Sequence, residues 1–391
     1  CEAVSGSVGG LDELEVVLDQ FRVNLTPIVV TEVIGVCRND APTRRLLRFI
    51  MWSRKVLKSA FTDEDFNLSL RVLAERKDLV GIEVLLWDMA KESRVLNQCT
   101  FAVVVDALVK LGREDEALGV FKNLEKFQCP KDGDSVMAII TSLCKKGHAR
   151  KAQGVLHHHK DKISAMELKN IFKSILYGFA VKKKVKEAKT ILKEMKKNGI
   201  TPDIFCYNTF FKGLCQRNAM RNPSGLVPDA MNVLMEMRSY RVEPNSITYN
   251  TLLSYLGRVG RVKEACKVLD LMKKSGCNPT WVSYYYVIKV LYASGRFGKG
   301  KKLVDEMTDM GLVPNIKFFS DLITILCKSG RMKLALELLD RAKGCSLAGC
   351  ELLYDIIIPK LYREGEVEVG NQLRDEALAT GLSLTYTELL E

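Results

Sequence analysis

The sequence predicts an all-α solenoid of about nine to ten stacked helical hairpins, each 35 residues long. Three observations predict it: a recurrent small residue, a glycine series locked to it, and a proline series on the same clock. The small residues are Ala117, Ala152, Ala188, Ala230, Ala265, Gly300, Ala335 and Gly370, separated by 35, 36, 42, 35, 35, 35 and 35 residues. Gly112, Gly147, Gly260, Gly295, Gly330 and Gly365 each precede their partner by five residues. Pro202, Pro244, Pro279 and Pro314 are followed by Asp203, Asn245, Thr280 and Asn315. Fixed periods of this length mark stacked supersecondary units.

The pattern inside 246–280 shows why the register holds. Tyr249, Leu252, Leu253 and Leu256 are spaced as one face of a helix. Gly260 ends that helix because glycine tolerates the left-handed geometry of a helix stop. Ala265, Val268, Leu269 and Met272 then form a second apolar stripe, and Gly276, Pro279 and Thr280 close the unit. The recurrent Ala or Gly lets paired helices approach closely. One hairpin cannot bury both stripes, so neighbours stack.

Taken in order, residues 1–27 read as an N-terminal extension or cap. A degenerate repeat follows at 28–62, since Trp52 and Trp87 are 35 residues apart and both follow apolar pairs. Nine units then occupy 63–97, 98–132, 133–168, 169–203, 204–245, 246–280, 281–315, 316–350 and 351–385. Unit 204–245 carries seven extra residues, assigned to a lengthened inter-helix loop around Asn218 to Val227 that holds Pro223, Ser224 and Gly225. Tyr386 to Glu391 read as the start of a further helix. The first twenty residues hold Glu2, Asp12, Glu13, Glu15 and Asp19 and no basic residue, unlike a transit peptide; any targeting signal is expected to precede Cys1.

Composition narrows the function. The chain has 391 residues, 47% hydrophobic and 27% charged, with 10 prolines and 27 glycines, which excludes a disordered or collagen-like chain. No apolar run reaches the roughly 18 residues of a membrane span. The 12 cysteines are dispersed and form no C-x-x-C, and Cys144, Cys215 and Cys327 share one helical slot, so they read as reduced and mostly small buried hydrophobes. Recurrent Tyr207, Tyr249 and Tyr284 read as core as well. His157, His158 and His159 are consecutive and point about 100° apart on a helix, so they cannot converge on a metal. The H-x-E with C-x-x-C of zinc deaminases, the phosphate loop and the G-x-S-x-G elbow are all missing from the sequence. The reading is therefore a non-enzyme with no catalytic residue, cofactor, metal or small-molecule substrate.

The net charge of +12 is concentrated. Between Lys145 and Lys197 stand sixteen basic residues against four acidic ones, an excess equal to the charge of the whole protein. Lys145, Lys146, Arg150, Lys151, Lys173, Lys182, Lys183, Lys184, Lys186 and Lys189 are the candidate contacts to a phosphate backbone. A solvated lysine-rich helix face is the competing reading. Arg113, Arg258, Arg261, Arg296, Arg331 and Arg363 recur near the inter-helix turns and mark one candidate edge.

The segments Asp203-Ile-Phe-Cys-Tyr-Asn-Thr, Asn245-Ser-Ile-Thr-Tyr-Asn-Thr and Gly-Leu-Val-Pro-Asn315 resemble pentatricopeptide repeats of the P-type, the RNA-binding family of plant organelles. The early Trp and Gly of the related tetratricopeptide repeat are missing. The resemblance implies a right-handed superhelix that reads single-stranded RNA at about one base per repeat. Carried over, the readout pairs are Asn67 with Asn97, Asn208 with Asn245 and Asn250 with Thr280, which resemble pyrimidine-favouring pairs. The remaining slots depart from the pattern: Ala102 with Asp132, Met137, Lys173 with Asp203, Tyr285 with Asn315, Ser320 with Cys350 and Asp355 with Thr385. Ser320 is kept as a candidate reader. Bases would wedge between Phe205, Ile247 and Val282. Asp or Asn closing a repeat is also a good helix N-cap, and both readings stand at this point.

The resemblance implies a mitochondrial, or alternatively plastid, RNA-binding protein with ribonucleoprotein neighbours. The irregular slots and the single basic block lean towards a structural subunit of a ribonucleoprotein such as the mitochondrial ribosome, gripping ribosomal RNA by its backbone. A transcript-specific stability, processing or translation factor is the alternative, and a protein–protein scaffold a second.

Overall fold

The computed structural model describes the chain except residues 7–9, 21, 23–24, 346–348 and 385–391, and the side chain of Lys162. The expectations for Thr385 and for Tyr386 to Glu391 lie outside the described residues. Those residues form 22 α-helices joined by short turns, with no strand among them. The chain divides into two compact units, Cys1–Pro202 and Asp203–Glu391.

The first unit contains α1 (Glu2–Ser5), α2 (Leu11–Asp19), α3 (Pro27–Asp40), α4 (Thr43–Leu57), α5 (Asp63–Glu75), α6 (Leu79–Lys91), α7 (Gln98–Lys110), α8 (Glu114–Lys122), α9 (Gly133–Lys145), α10 (Ala149–His159), α11 (Ala165–Val181) and α12 (Val185–Lys197). α1 and α2 pack on α4 ahead of the hairpin pairs. The first helices of the hairpins, α3, α5, α7, α9 and α11, pack directly on one another in sequence. The second helices lean on their own partner, and α4, α8 and α10 also touch the next first helix.

The second unit repeats this plan with α13 (Ile204–Arg221), α14 (Leu226–Ser239), α15 (Ser246–Arg258), α16 (Val262–Lys274), α17 (Trp281–Ala293), α18 (Phe297–Asp309), α19 (Ile316–Lys328), α20 (Met332–Gly344), α21 (Glu351–Glu364) and α22 (Val367–Ala379). Its first helices α13, α15, α17, α19 and α21 form one packed layer.

The periodic residues earn their places by geometry. Gly112, Gly147, Gly260, Gly295, Gly330 and Gly365 all have left-handed φ, between 66° and 84°. The next residue's N–H returns to a carbonyl five residues back, as from Arg261 to Leu256, which closes each first helix. The hairpin at 182–184 does the same with Lys183 at φ 58°. The recurrent alanines are buried between paired helices. Gly300 and Gly370 stand in that register beneath Tyr292 and Tyr362, whose rings would lie 2.2 and 2.7 Å from an added Cβ. Ion pairs stitch neighbouring hairpins: Lys289–Asp321 at 2.7 Å, Lys301–Glu337 at 2.6 Å and Lys343–Glu376 at 2.7 Å.

Two details differ from the sequence reading. α11 opens at Ala165 rather than Lys169, because Ser164 accepts the Glu167 N–H while the Glu167 carboxylate accepts the Ser164 N–H at 2.7 Å. The surplus in 204–245 lengthens a helix instead of a loop: α13 has 18 residues against 13 in α15, and only a 3-10 turn at Pro223–Gly225 separates it from α14. Asn218 explains this, fully buried with its amide donating to Asp229 at 2.8 Å and to the Gly225 carbonyl at 3.2 Å. Trp52 and Trp87 share a register but not an environment. Trp52 is buried and donates to Asp19, whereas Trp87 is exposed.

Candidate nucleic-acid interface

In the second unit, two consecutive seams between first helices carry the same polar arrangement. At the α13/α15 seam, the amide nitrogen of Asn208 donates to Asn245 Oδ1 at 3.3 Å, and Thr248 Oγ1 donates to Asn208 Oδ1 at 2.6 Å. At the α15/α17 seam, Asn250 donates to Thr280 Oγ1 at 3.3 Å and Ser283 Oγ donates to Asn250 Oδ1 at 2.6 Å. The four side chains of Asn208, Asn245, Asn250 and Thr280 are half-buried, held by these bonds yet reachable from solvent. Both expected pairs are thus brought together in space.

Beside them, at the second residue of each first helix, Phe205 is 51% and Ile247 60% exposed, and Val282 is half-buried. Apolar side chains left in water at one repeating position, next to bonded amides, give each seam an apolar wall and a polar edge. The next seam is occupied differently. Tyr285, Lys289 and Asp321 bond one another there, with Lys289 Nζ 2.8 Å from the phenol oxygen and 2.7 Å from the carboxylate. Ser320 is half-buried and donates to the Lys317 carbonyl at 3.3 Å.

In the first unit the pair Asn67 with Asn97 is corrected. Asn67 is 3% exposed and donates to the carbonyls of Asp63 at 2.7 Å and Val95 at 2.8 Å. Its Oδ1 accepts the Asn97 N–H at 3.0 Å. Every hydrogen of that amide is spent on the fold, so Asn67 is a structural tie and not a reader. Asn97 remains exposed at the helix start, its side chain accepting the Thr100 N–H at 2.7 Å. The capping reading holds for Asn97, Asp132, Asp203, Asn245 and Asn315 alike, each accepting from the backbone three residues on.

The basic block does not form one floor. Lys145, Lys146, Arg150, Lys182, Lys183 and Lys184 lie at or beside the hairpin turns, and Lys173 lies on α11 in the first-helix layer. Lys186 and Lys189 are exposed on α12, whose Val185, Ala188, Ile191, Leu192 and Met195 face inward. At 100° per residue, Lys186 points directly away from that buried stripe and Lys189 lies on its flank. Lys186 and Lys189 therefore do not lie with Lys173 on the first-helix layer. Several of the others already have partners: Lys145 with Asp106 at 3.4 Å, Arg150 with Glu187 at 3.3 Å, and Lys151 with Asp115 at 2.6 Å and Glu114 at 3.3 Å. The turn arginines are likewise engaged, Arg113 with Glu83 and Glu116, Arg261 with Glu264, and Arg258 over the Tyr255 ring.

Tyr207, Tyr249 and Tyr284 are fully buried. The shared cysteine slot is buried too, which pushes the Cys144 thiol up to about 12 and the Cys327 thiol up to about 11. Thiols so far from ionising are packing groups. Among the described residues no cluster of His, Cys, Asp or Glu has a metal-holding arrangement, and no helix is long and apolar enough to cross a membrane.

Sequential helical hairpins with a packed first-helix layer and a recurrent polar seam define an α-solenoid repeat protein. The chain belongs to the pentatricopeptide repeat family. Residues 171–216 and 244–293 match the model of the PPR repeat family, and 99–129, 282–312 and 318–347 match the PPR repeat. It is 51% identical over 226 residues to a mitochondrial pentatricopeptide repeat-containing protein of Arabidopsis thaliana, covering 58% of this chain and 46% of that one. It is 27% identical over 203 residues to a small ribosomal subunit protein of the same plant, covering 52% and 38%. The chain thus spans less than half the length of these curated relatives. The fold is shared with the pentatricopeptide repeat protein PPR10 from maize, at a TM-score of 0.60 and 19% identity, over 90% of this chain and 49% of that one. Yeast Rmd9p, solved with a 16-nucleotide target RNA, gives 0.53 and 14% over 96% and 79%.

Proposed function

We propose that this protein is a non-catalytic RNA-binding protein of mitochondria that holds single-stranded RNA along the first helices of its second unit. The observation that carries the reading is the pair of consecutive seams, Asn208–Asn245 and Asn250–Thr280, flanked by Phe205, Ile247 and Val282. Stacking on an exposed apolar side chain is sequence-tolerant, whereas an amide against a base edge discriminates, and here both occur at one period. The mitochondrial relative and the RNA-bound yeast neighbour support the same reading.

Two adjacent readers that each favour pyrimidines select roughly one dinucleotide in four. That is too little to single out a transcript, and it favours a structural place in a ribonucleoprotein, with the RNA held mainly by its backbone. The ribosomal relative supports that role. The protein should co-sediment with ribosomal particles through a gradient at moderate salt, and crosslinked RNA from mitochondria should be ribosomal. A free protein peak, with one messenger dominating the crosslinks, would select the transcript-factor alternative. Replacing Phe205 and Ile247 together by Ala should weaken short single-stranded RNA by about five- to a hundredfold, the stacking worth of one to two bases. Unchanged affinity would sink the placement of the RNA on this layer and leave the protein–protein scaffold.

A further inference from the structure

The hydroxyls of Thr248 and Ser283 belong to neither reader pair, yet each bonds a reader from the following helix. We propose that these third-position hydroxyls are positioning residues that set the hydrogen-bond polarity of Asn208 and Asn250, so that each amide meets its ligand as a donor. The inference rests on the RNA reading above and deepens it.

Backbone groups cannot change roles, and at the first seam they determine the arrangement. The Thr248 N–H donates to the Asn245 side chain at 3.2 Å, so the atom there is oxygen. The Asn208 atom 3.3 Å from that oxygen must then be its amide nitrogen, since two carbonyl oxygens do not bond. This turns Asn208 Oδ1 towards Thr248 Oγ1, 2.6 Å away. The Asn245 N–H already donates to that hydroxyl at 3.2 Å, occupying a lone pair, and the hydroxyl proton goes to Asn208. At the next seam the Thr280 N–H donates to Ser283 Oγ at 3.1 Å, and the serine proton goes to Asn250 Oδ1 at 2.6 Å. A reciprocal helix cap is thereby converted into an orientation lock on the preceding repeat.

The consequence is chemical. With its oxygen spent and one N–H on its neighbour, each reader amide keeps one N–H for a ligand. Neither N–H of the Asn245 amide bonds another described residue, which adds donors at the first seam. A base edge that presents an acceptor, such as a pyrimidine carbonyl, satisfies these donors. An edge that presents a donor leaves them unpaired. The first unit supplies a contrast: Thr100 holds the same third position, but its buried hydroxyl bonds nothing among the described residues, and Asn67 is consumed by backbone groups.

The test is selection from a pool of single-stranded RNAs with a random core, followed by sequencing of the bound fraction. The parent protein should show two adjacent positions enriched in acceptor-edge bases. Thr248→Val keeps the shape and removes the proton. It should reduce enrichment at one position by about two- to tenfold, the worth of one neutral hydrogen bond, and leave the adjacent position unchanged. Ser283→Ala should do the reverse, and Thr248→Ser should restore the parent profile. Affinity for the unselected pool should stay within about threefold, because backbone contacts are untouched. A parent that discriminates while Thr248→Val and Ser283→Ala discriminate equally well overturns the positioning role alone. A parent with no RNA binding or no base preference overturns the RNA reading and this inference with it.

Discussion

Gly300 provides a quantitative test of the packing register. A Cβ on Gly300 would stand 2.2 Å from Tyr292 Cε1 and 2.5 Å from Cδ1, where carbon atoms prefer about 3.5–4.0 Å. The ring is 2% exposed and neighbours Phe297 at a centroid distance of 6.0 Å, so it has little room to retreat. Overpacking of this kind costs about 1–3 kcal/mol, and the closeness of the contact places Gly300→Ala at the upper end. Removing a helical glycine returns about 1 kcal/mol. The net expectation is a loss of about 2 kcal/mol. Tyr292→Cys alone should cost about 3–4 kcal/mol by leaving a cavity. The double variant rebuilds the Cys327–Ala335 pairing found at the same register one hairpin later. It should therefore be more stable than the sum of the singles by about 2–3 kcal/mol, a coupling typical of touching residues. Urea unfolding followed by far-ultraviolet circular dichroism measures all four proteins. Gly300→Ala unfolding at the parent's urea concentration or above, or a strictly additive double variant, would refute the argument.

Three further expectations follow from the same structure. Asn67→Ala should cost about 1–3 kcal/mol in urea unfolding by stranding the Asn97 N–H and two carbonyls, with RNA affinity unchanged; an RNA defect without a stability defect would return Asn67 to the readers. Replacing Lys182, Lys183 and Lys184 by Glu should weaken RNA across sequences and lower the slope of log affinity against log salt by about 2, whereas Lys186, Lys189 and Lys193 replaced together should not, and equal effects would refute the separation of turn edge from outer face. Burial pushes the Asp321 carboxyl up, but the bonds from Lys289 and Tyr285 outweigh it and hold it below its ordinary 3.8. Its stabilisation is thus full above that value and lost as the pH falls through the lowered one, so the parent's advantage over Asp321→Asn should shrink below about pH 4; an advantage constant with pH would refute it.

The parts of the fold legible in the sequence are those governed by sterics at a fixed period. Six glycines are favoured by the left-handed φ of their turns and six alanines by the closeness of paired helices, and the two glycines in the alanine register coincide with Tyr292 and Tyr362 eight residues earlier. That pairing of a large ring with a glycine is itself written in the sequence. The parts that were not legible depend on where polar groups find partners. Nothing in the residue type separates Asn67 from Asn208; only the carbonyls of Asp63 and Val95, brought near by the α5–α6 hairpin, exhaust one amide and spare the other. The lengthened α13 likewise follows from a buried Asn218 whose partners, Gly225 and Asp229, lie across the turn. The lysine block is contiguous along the chain, but helix phase at 100° per residue, set by the buried stripe of α12, decides that Lys186 and Lys189 leave the layer of Lys173.

The capping reading and the proposed base-contacting reading of the residue that closes each repeat are chemically compatible. Asn245 caps α15 through Oδ1, which accepts the Thr248 N–H, and the same oxygen orients Asn208, while its own amide hydrogens stay available. Capping consumes an acceptor and leaves the donors, so an asparagine can cap a helix and still offer hydrogens to a ligand. Aspartate, as at Asp132 and Asp203, caps equally well but has no hydrogen to offer once ionised. The same position therefore keeps its capping bond as Asn or Asp while the chemistry shown to a ligand changes. A helix start can tolerate exchange among these residues at a cost of tenths of a kcal/mol to about 1 kcal/mol, which leaves the outward face of the cap free to vary without unmaking the stack.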